Sequence, residues 1–306
     1  MKIKNILIAG GGGELGVQLT DYIKNKDLNI FVIDKKFKKK FKKKNIKFIK
    51  HDFLKSKSFK IPRNIDIVVF LIGITGGPLS LDFKYLNTYL QMNCETLIKF
   101  LKILEKKKIR KIIFTSTEHV YGDDFNNKKN ILNIEPSPKN LYGITKLLSE
   151  KILHNFFKKT LISIDILRFP RVVCNNKNNL IIKLKNKAIK KNKIYLNNLN
   201  LKLNFLHISD FLSAIEKCIF QTSTKFRILN IFNNSKPISI KNLNKVIKQK
   251  LKIKLDIELI NGKSIKNHNP QNLEISNKLS KKILKWKPMF NNSQIINEII
   301  ENNEIR

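Results

Sequence analysis

Gly10-Gly11-Gly12-Gly13-Glu14-Leu15-Gly16, read directly after the apolar run Ile3–Ala9, decides the fold of this chain. The stretch holds both Gly10-x-x-Gly13-x-x-Gly16 and Gly11-x-Gly13-x-x-Gly16. Glycine answers three needs at such a turn. It permits a tight bend with positive φ, lets backbone approach a pyrophosphate closely, and allows the next helix to pack tightly on the strand. A helix opening near Glu14 aims its free N–H groups and positive dipole end at those phosphates. The setting, between a strand and a helix, gives the motif its weight.

Working outward, the first half of the chain alternates short β-rich runs with longer helical patterns, as a parallel sheet with crossover helices requires. Strands are expected at Ile3–Ala9, Ile30–Ile33, Ile46–Lys50, Ile67–Ile72, Lys111–Thr115 and Ile162–Leu167. Helices are expected near Leu15–Lys24, Tyr85–Lys107 and Tyr142–Lys158, where apolar residues recur at three and four, as in Leu97, Leu101 and Leu104. The fold class is therefore α/β: a doubly wound parallel sheet of Rossmann type with a smaller, interleaved C-terminal substrate lobe. After Arg171 the pattern loosens, and Asn175–Asn179 and Asn197–Asn200 read as loops. Residues 1–172 form the expected first domain and 173–306 the smaller lobe, with 203–233 returning to the first.

The second strand runs into Asp34, eighteen residues after Gly16. A carboxylate there accepts hydrogen bonds from the adenosine ribose hydroxyls and repels a 2′-phosphate, which favours NAD. Lys35 and Lys36 follow at once and could neutralise such a phosphate, so NADP stays open. They begin the run Lys35–Lys44 (KKFKKKFKKK), read as a solvated low-complexity loop. Asp52, after the third strand, is placed either to meet the adenine or simply to make a turn.

The chemistry is expected elsewhere. Tyr142 and Lys146 stand four apart in Tyr-Gly-Ile-Thr-Lys, on one face of a helix. A free phenol, with a pKa near 10, is a poor base at neutral pH. A nearby lysine cation favours the phenolate, so the pair can take or give a proton at a carbinol. Upstream, Thr115-Ser116-Thr117-Glu118-His119 closes a strand at the sheet edge where open α/β folds bind ligands.

Taken in order and spacing, these residues resemble the extended short-chain dehydrogenase/reductase family of NAD-dependent nucleotide-sugar epimerases and dehydratases. The similar pieces are GGGGELG, Asp34, Asp66–Ile72, Asn93 with Thr96, Ser116–Gly122 (STEHVYG), Tyr142–Lys146, Leu167–Pro170, Phe205–Asp210 and Leu284–Pro288. The resemblance implies that Thr117 hydrogen-bonds the sugar oxygen, that Tyr142 is the catalytic base, and that Lys146 binds the nicotinamide ribose. It implies a dinucleotide lying against Gly10, Gly13, Glu14, Leu15, Gly16, Asp34, Asp52 and Phe53. It also implies a nucleotide-sugar substrate met by Thr117, Arg171 and His207, and a homodimer packed through Tyr85–Lys107 and Tyr142–Lys158. STEHVYG is similar as well to the STDEVYG of sugar 4,6-dehydratases, where an Asp-Glu pair eliminates water. Glu118 and His119 stand in those places, leaving epimerase, dehydratase and reductase open; a neutral imidazole can serve as a base. Arg171-Val-Val-Cys-Asn departs from the family's Asn-x-Tyr-Gly-Pro. Arg171 could pair with a diphosphate or lie on the surface.

Composition bounds the alternatives. The 306 residues are 42% apolar, enough for a sizeable core, with a net charge of +38. Lys, Asn and Ile, all favoured by AT-rich codons, abound in helices, loops and strands alike. The charge is accordingly read as compositional bias, not as a footprint for nucleic acid or membrane. A non-catalytic binder of RNA or another polyanion remains the rival reading, and it leaves Thr117 and the Tyr142–Lys146 pair without purpose. The longest apolar stretch, Ile65–Ile74, contains Asp66 and falls short of the ~20 residues of a membrane span. Lys2–Ala9 reads as a strand and not as a secretory signal. Cys94, Cys174 and Cys218 are scattered and odd in number, which fits a reducing cytoplasm and offers no metal site.

Overall fold

The computed structural model describes residues 3–55, 61–105, 107–122, 135–160, 162–174, 179–191, 193–196, 201–253, 256–259 and 275–301. The expected loops at 175–178 and 197–200 lie outside them.

The first strand, β1 (Asn5–Ala9), is almost fully buried. It pairs in parallel with β2 (Asn29–Asp34) on one side and β4 (Ile67–Phe70) on the other. Outward from β2 lies β3 (Ile46–Lys50); outward from β4 come β5 (Lys111–Thr115), β6 (Ser163–Arg168) and a last strand, Phe226–Asn230. The order, seven strands all parallel, reverses direction between β1 and β4. That switch opens a crevice at the carboxyl ends of the strands, where such sheets bind ligands.

Helices cover both faces. On one, α1 (Glu14–Ile23) packs with Ile6, Ile8, Val32, Phe211, Ile215 and Trp286. On the other, Leu7, Val68, Phe70 and Phe114 meet Leu97, Phe100 and Leu104 of a long helical segment. That segment is α2 (Leu86–Tyr89), a π-wound stretch Leu90–Glu95, and α3 (Thr96–Leu104). The expected single helix Tyr85–Lys107 is thus broken by the widened turn, which carries Asn93 inward. Its neighbour α4 (Leu141–Thr160) runs to the next strand, β6.

The expected strand Ile67–Ile72 stops at Phe70 because the chain must bend past the glycine turn. Gly10 has φ 88, and a Cβ there would lie 2.8 Å from the Ile72 nitrogen. At Gly16 a Cβ would meet the Gly11 Cα at 2.4 Å and the Gly10 oxygen at 2.5 Å. Helix and strand can pack this closely only without side chains between them.

The remaining elements are β7 (Arg171–Val173), α5 (Leu180–Lys191), β8 (Lys193–Leu196), β9 (Lys202–Leu203), β10 (Phe205–His207), α6 (Ile208–Phe220), β11 (Phe226–Asn230, the seventh sheet strand), β12 (Ile238–Ser239), α7 (Ile240–Leu251), β13 (Asp256–Leu259), α8 (Lys278–Leu284) and α9 (Asn292–Glu301). A third apolar cluster gathers Ile181, Leu203, Phe205, Leu243, Ile247, Ile295 and Ile299. It is separate from the two that flank the sheet. Two late motifs meet at α6: Trp286 donates Nε1–H to the Asp210 carbonyl at 3.2 Å, and the Asp210 carboxylate accepts from the Met289 and Phe290 amides.

The lysine run is not simply solvated. Its eight lysines are exposed, but Phe37 and Phe41 pack against the core beside α1, with Lys40 and Lys39 over their rings. Among the described residues no helix is long and apolar enough to cross a membrane.

Candidate active site

The nucleotide end is built by β1, α1 and β2. Asp34, at the end of β2, turns back so that its Oδ2 accepts from the Gly12 amide at 3.0 Å and its Oδ1 from the Lys36 amide at 3.3 Å. This fixes a carboxylate beside the open N-terminus of α1. A cavity of about 170 Å³ lies there, lined by Gly10, Gly13, Asp34, Asp52, Phe53 and Gly73 among others. The shape and donors fit the adenosine half of a dinucleotide: glycine backbone for phosphate, a carboxylate for ribose and an apolar slot for a base. Glu14 opens α1, and its carboxylate accepts from the Cys174 thiol at 3.8 Å. Leu15 packs into the core behind the turn.

Gly73 links this cavity to the chemical end. A Cβ there would lie 2.7 Å from Asn93 Oδ1 and 4.0 Å from Lys146 Nζ. Asn93 itself accepts from the Ile74 amide and donates to Thr145 Oγ1 at 2.9 Å, tying the loop after β4 to α4.

At the chemical end, Thr117 caps the 3₁₀ turn Glu118–Tyr121, its hydroxyl accepting from the His119 amide at 3.3 Å, and it lies near enough to Tyr142 to act on the phenol. Tyr142 and Lys146 project from α4 as their spacing requires. Burial pushes the Tyr142 phenol up to about 12, with the Thr117 hydrogen bond working the other way. The sequence argument had the Lys146 cation lowering this phenol. Instead the ammonium sits over the Phe114 ring, 4.2 Å from its centroid. Burial lowers Lys146 to about 8, opposed by the Glu150 charge one turn along α4.

Glu150 belongs to a buried network that sequence reading missed. It accepts from Arg168 Nε at 3.0 Å and Nη2 at 2.5 Å, and from the Ser116 hydroxyl. The Arg168 guanidinium also lies over the Tyr121 ring.

Glu118 and His119 follow Thr117 into the site. Burial pushes the Glu118 carboxyl up to about 8, against the Arg171 charge and a 3.4 Å hydrogen bond from Asn204. His119 stacks edge-on to Tyr142, with ring centroids 5.2 Å apart, and burial followed by the Arg171 charge lowers it to about 3. Arg171 opens β7 and acts electrostatically on both residues, which puts it beside Glu118 and His119 at the chemical end.

Two further residues escaped the sequence reading. Asn140 precedes α4 and accepts from the Gly143 amide at 2.9 Å, an N-cap that Asn before a helical pattern could have signalled. Gly143 is glycine because α4 crosses the turn before it so closely that a Cβ would meet the His119 carbonyl at 2.3 Å. His207, by contrast, is not brought to this site. Its Nδ1 accepts from the Ser209 amide as the cap of α6, its Nε2 faces Glu298 at 3.4 Å, and its ring lies against Phe290. Among the described residues no cluster of His, Cys, Asp or Glu could hold a metal ion.

Comparison with known proteins places this geometry. The model of the NAD dependent epimerase/dehydratase family matches residues 6–231. An uncharacterised UDP-glucose epimerase of Bacillus subtilis, YtcB, is 29% identical over 177 residues, 54% of this chain and 55% of that protein. The chain thus spans about half the length of that relative. Two solved structures share the fold over nearly all of both chains. The UDP-glucuronic acid 4-epimerase of Bacillus cereus, in complex with UDP-glucuronic acid and NAD, has a TM-score of 0.82 at 20% identity, covering 97% of this chain and 99% of that one. The UDP-glucose 4-epimerase of Thermotoga maritima, with UDP-glucose, has a TM-score of 0.81 at 17% identity, covering 97% of each.

Proposed function

The chain belongs to the NAD dependent epimerase/dehydratase family, the extended short-chain dehydrogenase/reductase type, and on that footing we propose that it is an NAD-dependent nucleotide-sugar epimerase. The observation that carries this is the gathering of Thr117, Tyr142 and, one helical turn on, Lys146, joined through Gly73 to the dinucleotide cavity.

Bound NAD supplies and recovers the oxidising equivalent at the sugar carbon. The chain's residues do the rest. Asp34 would accept the adenosine ribose hydroxyls, and the N-terminus of α1 would hold the pyrophosphate. Lys146, poised beside Gly73, would hold the nicotinamide ribose. The Thr117 hydroxyl orients the reacting sugar oxygen against Tyr142, which takes its proton and later returns one. Arg171 meets the sugar end, not the diphosphate. By similarity to the Bacillus and Thermotoga proteins we take the substrate to be a UDP-sugar and the inverted centre to be C4.

The lobe around the third apolar cluster, drawn from residues 173–306 and including Leu203 and Phe205 from the start of the 203–233 segment, would hold the nucleotide. Two copies would pair through α3 and α4. Exposed Ile98, Ile144 and Leu148 lie on those helices, beside a groove of about 300 Å³ lined by Leu90, Cys94 and Ile152. Three buried free thiols suit a reducing compartment, and we place the protein in the cytoplasm.

Incubation with NAD and UDP-glucose or UDP-glucuronic acid should yield the C4 epimer. Tyr142→Phe should cut the rate by about a hundredfold or more with NAD binding retained. A folded protein that neither binds NAD nor responds to Tyr142→Phe would refute the assignment.

A further inference from the structure

We propose that His119 is a locked hydrogen-bond donor that orients a substrate oxygen beside Tyr142, its tautomer fixed by Asn140. This rests on the nucleotide-sugar reading of the site, and it assigns His119 a role opposite to that of a base.

The argument begins at the N-terminus of α4. Asn140 is buried, and one atom of its amide lies 2.9 Å from the Gly143 backbone nitrogen. A backbone N–H only donates, so that atom is the amide oxygen and the group cannot be flipped. The other atom, 3.0 Å from His119 Nδ1, is therefore the NH₂ group. An NH₂ group only donates, so Nδ1 must present its lone pair and the imidazole proton must sit on Nε2.

A second proton is excluded by the same contact, which would set N–H against N–H. It is opposed too by the positive end of α4, whose first turn presses on the His119 carbonyl. The ionisable groups that face the ring add nothing to attract it. They are the Tyr142 phenol on α4, pushed up to about 12, the Arg171 guanidinium on β7, and the neighbouring Glu118 carboxyl, pushed up to about 8. All three are neutral or positive at pH 7. Burial and Arg171 hold His119 neutral, at about 3.

Both lone pairs that a base would need are thus taken, one by Asn140 and one by the Nε2 proton. What remains is Nε2–H, for which the described residues offer no acceptor. It lies at the loop after β4: a Cβ on Gly76 would stand 3.5 Å from Nε2 and 3.0 Å from Tyr142 Cδ1. The missing side chain leaves the donor and the phenol open to one ligand. A sugar hydroxyl, a carbonyl or a carboxylate oxygen next to the reacting carbon has the required acceptor. Asn140 acts only through His119 and is a positioning residue.

Histidine ¹⁵N NMR on the intact protein tests the tautomer without any turnover. The His119 signal, assigned by its loss in His119→Gln, should report Nε2–H and stay unchanged between about pH 5 and 9. An Nδ1–H tautomer, or titration in that range, overturns the proposal. Asn140→Asp keeps an oxygen for Gly143 but replaces the NH₂ with an acceptor. It should move the proton to Nδ1 and make His119 titrate, and an unchanged signal would count against the lock. With NAD and UDP-glucose or UDP-glucuronic acid as probes, His119→Ala and Asn140→Asp should each lower kcat/KM at least about tenfold. His119→Gln, whose amide nitrogen can take the place of Nε2, should recover part of the kcat/KM lost in His119→Ala, and a loss as large as alanine's would count against the donor role. Full activity in His119→Ala overturns the orienting role. No turnover by the native protein would instead refute the nucleotide-sugar assignment, with the NMR result standing on its own.

Discussion

Glu150→Gln perturbs the structure where stability and chemistry share a residue. The Glu150 and Arg168 side chains are 3% and 7% exposed and are joined by two hydrogen bonds, with the Ser116 hydroxyl on the same carboxylate. Glutamine preserves the shape but turns an NH₂ group toward the guanidinium and removes the only carboxylate paired with it among the described residues. Breaking a buried pair from one side costs about 3–5 kcal/mol, because an uncompensated charge is left inside. Unfolding entropy of about 2.1 cal/mol/K per residue gives about 0.64 kcal/mol/K for 306 residues, so the expected loss is about 5–8 °C in Tm. Calorimetry of Glu150→Gln beside Glu150→Leu/Arg168→Met separates the causes. The double variant removes both charges and should recover to within about 2 kcal/mol of the native protein. The reasoning fails if the single variant loses less than about 2 °C, or if the double variant melts below it. Glu150 also props up the Lys146 charge, so a spectroscopic titration of Lys146 in Glu150→Gln should show it losing its proton below its present value of about 8.

Three further outcomes follow from the same geometry. Glu118 binds its proton more tightly folded than unfolded. The stability this confers is complete below pH 4.5 and is lost as pH rises through about 8. Glu118→Gln should therefore gain in Tm over the native protein between pH 5 and pH 9, and melting curves that keep a constant gap would contradict the buried carboxyl. Gly16→Ala drives a methyl into the Gly11 and Gly10 backbone, which cannot yield as a side chain would; a cost of about 1–3 kcal/mol and at least a tenfold loss in NAD affinity by calorimetric titration are expected. Leu148→Glu puts a charge on the exposed face of α4 and should shift sedimentation from dimer to monomer, whereas unchanged sedimentation would reject pairing through that face.

What the sequence discloses is what sits close along the chain. Gly10–Gly16 and Asp34 are legible because a strand, a turn and a helix start impose fixed local spacing. Tyr142 and Lys146 are legible because four residues make one helical turn. Five inner strands of the seven stand out as apolar runs because both faces of a parallel strand are buried, and the edge strand β3 (Ile46–Lys50) is legible from its own Ile and Phe residues. The seventh, β11, does not, being an edge strand with four of its five residues half-exposed. The lysine run hides its anchoring phenylalanines for a similar reason, since burial is decided by what packs against them.

Tertiary structure alone decided the electrical states. Whether Lys146 lowers Tyr142 depends on where the ammonium points, and Phe114, from another strand, holds it. Glu150 meets Arg168 across α4 and β6, and His207 is drawn away by Glu298 and Phe290. His119 reads in sequence as a possible base. It becomes a donor because Asn140, twenty-one residues on, is turned toward it by the Gly143 amide in the first turn of α4. Spacing is a property of the chain, whereas desolvation and the direction of a hydrogen bond belong to surroundings that exist only once the chain has folded.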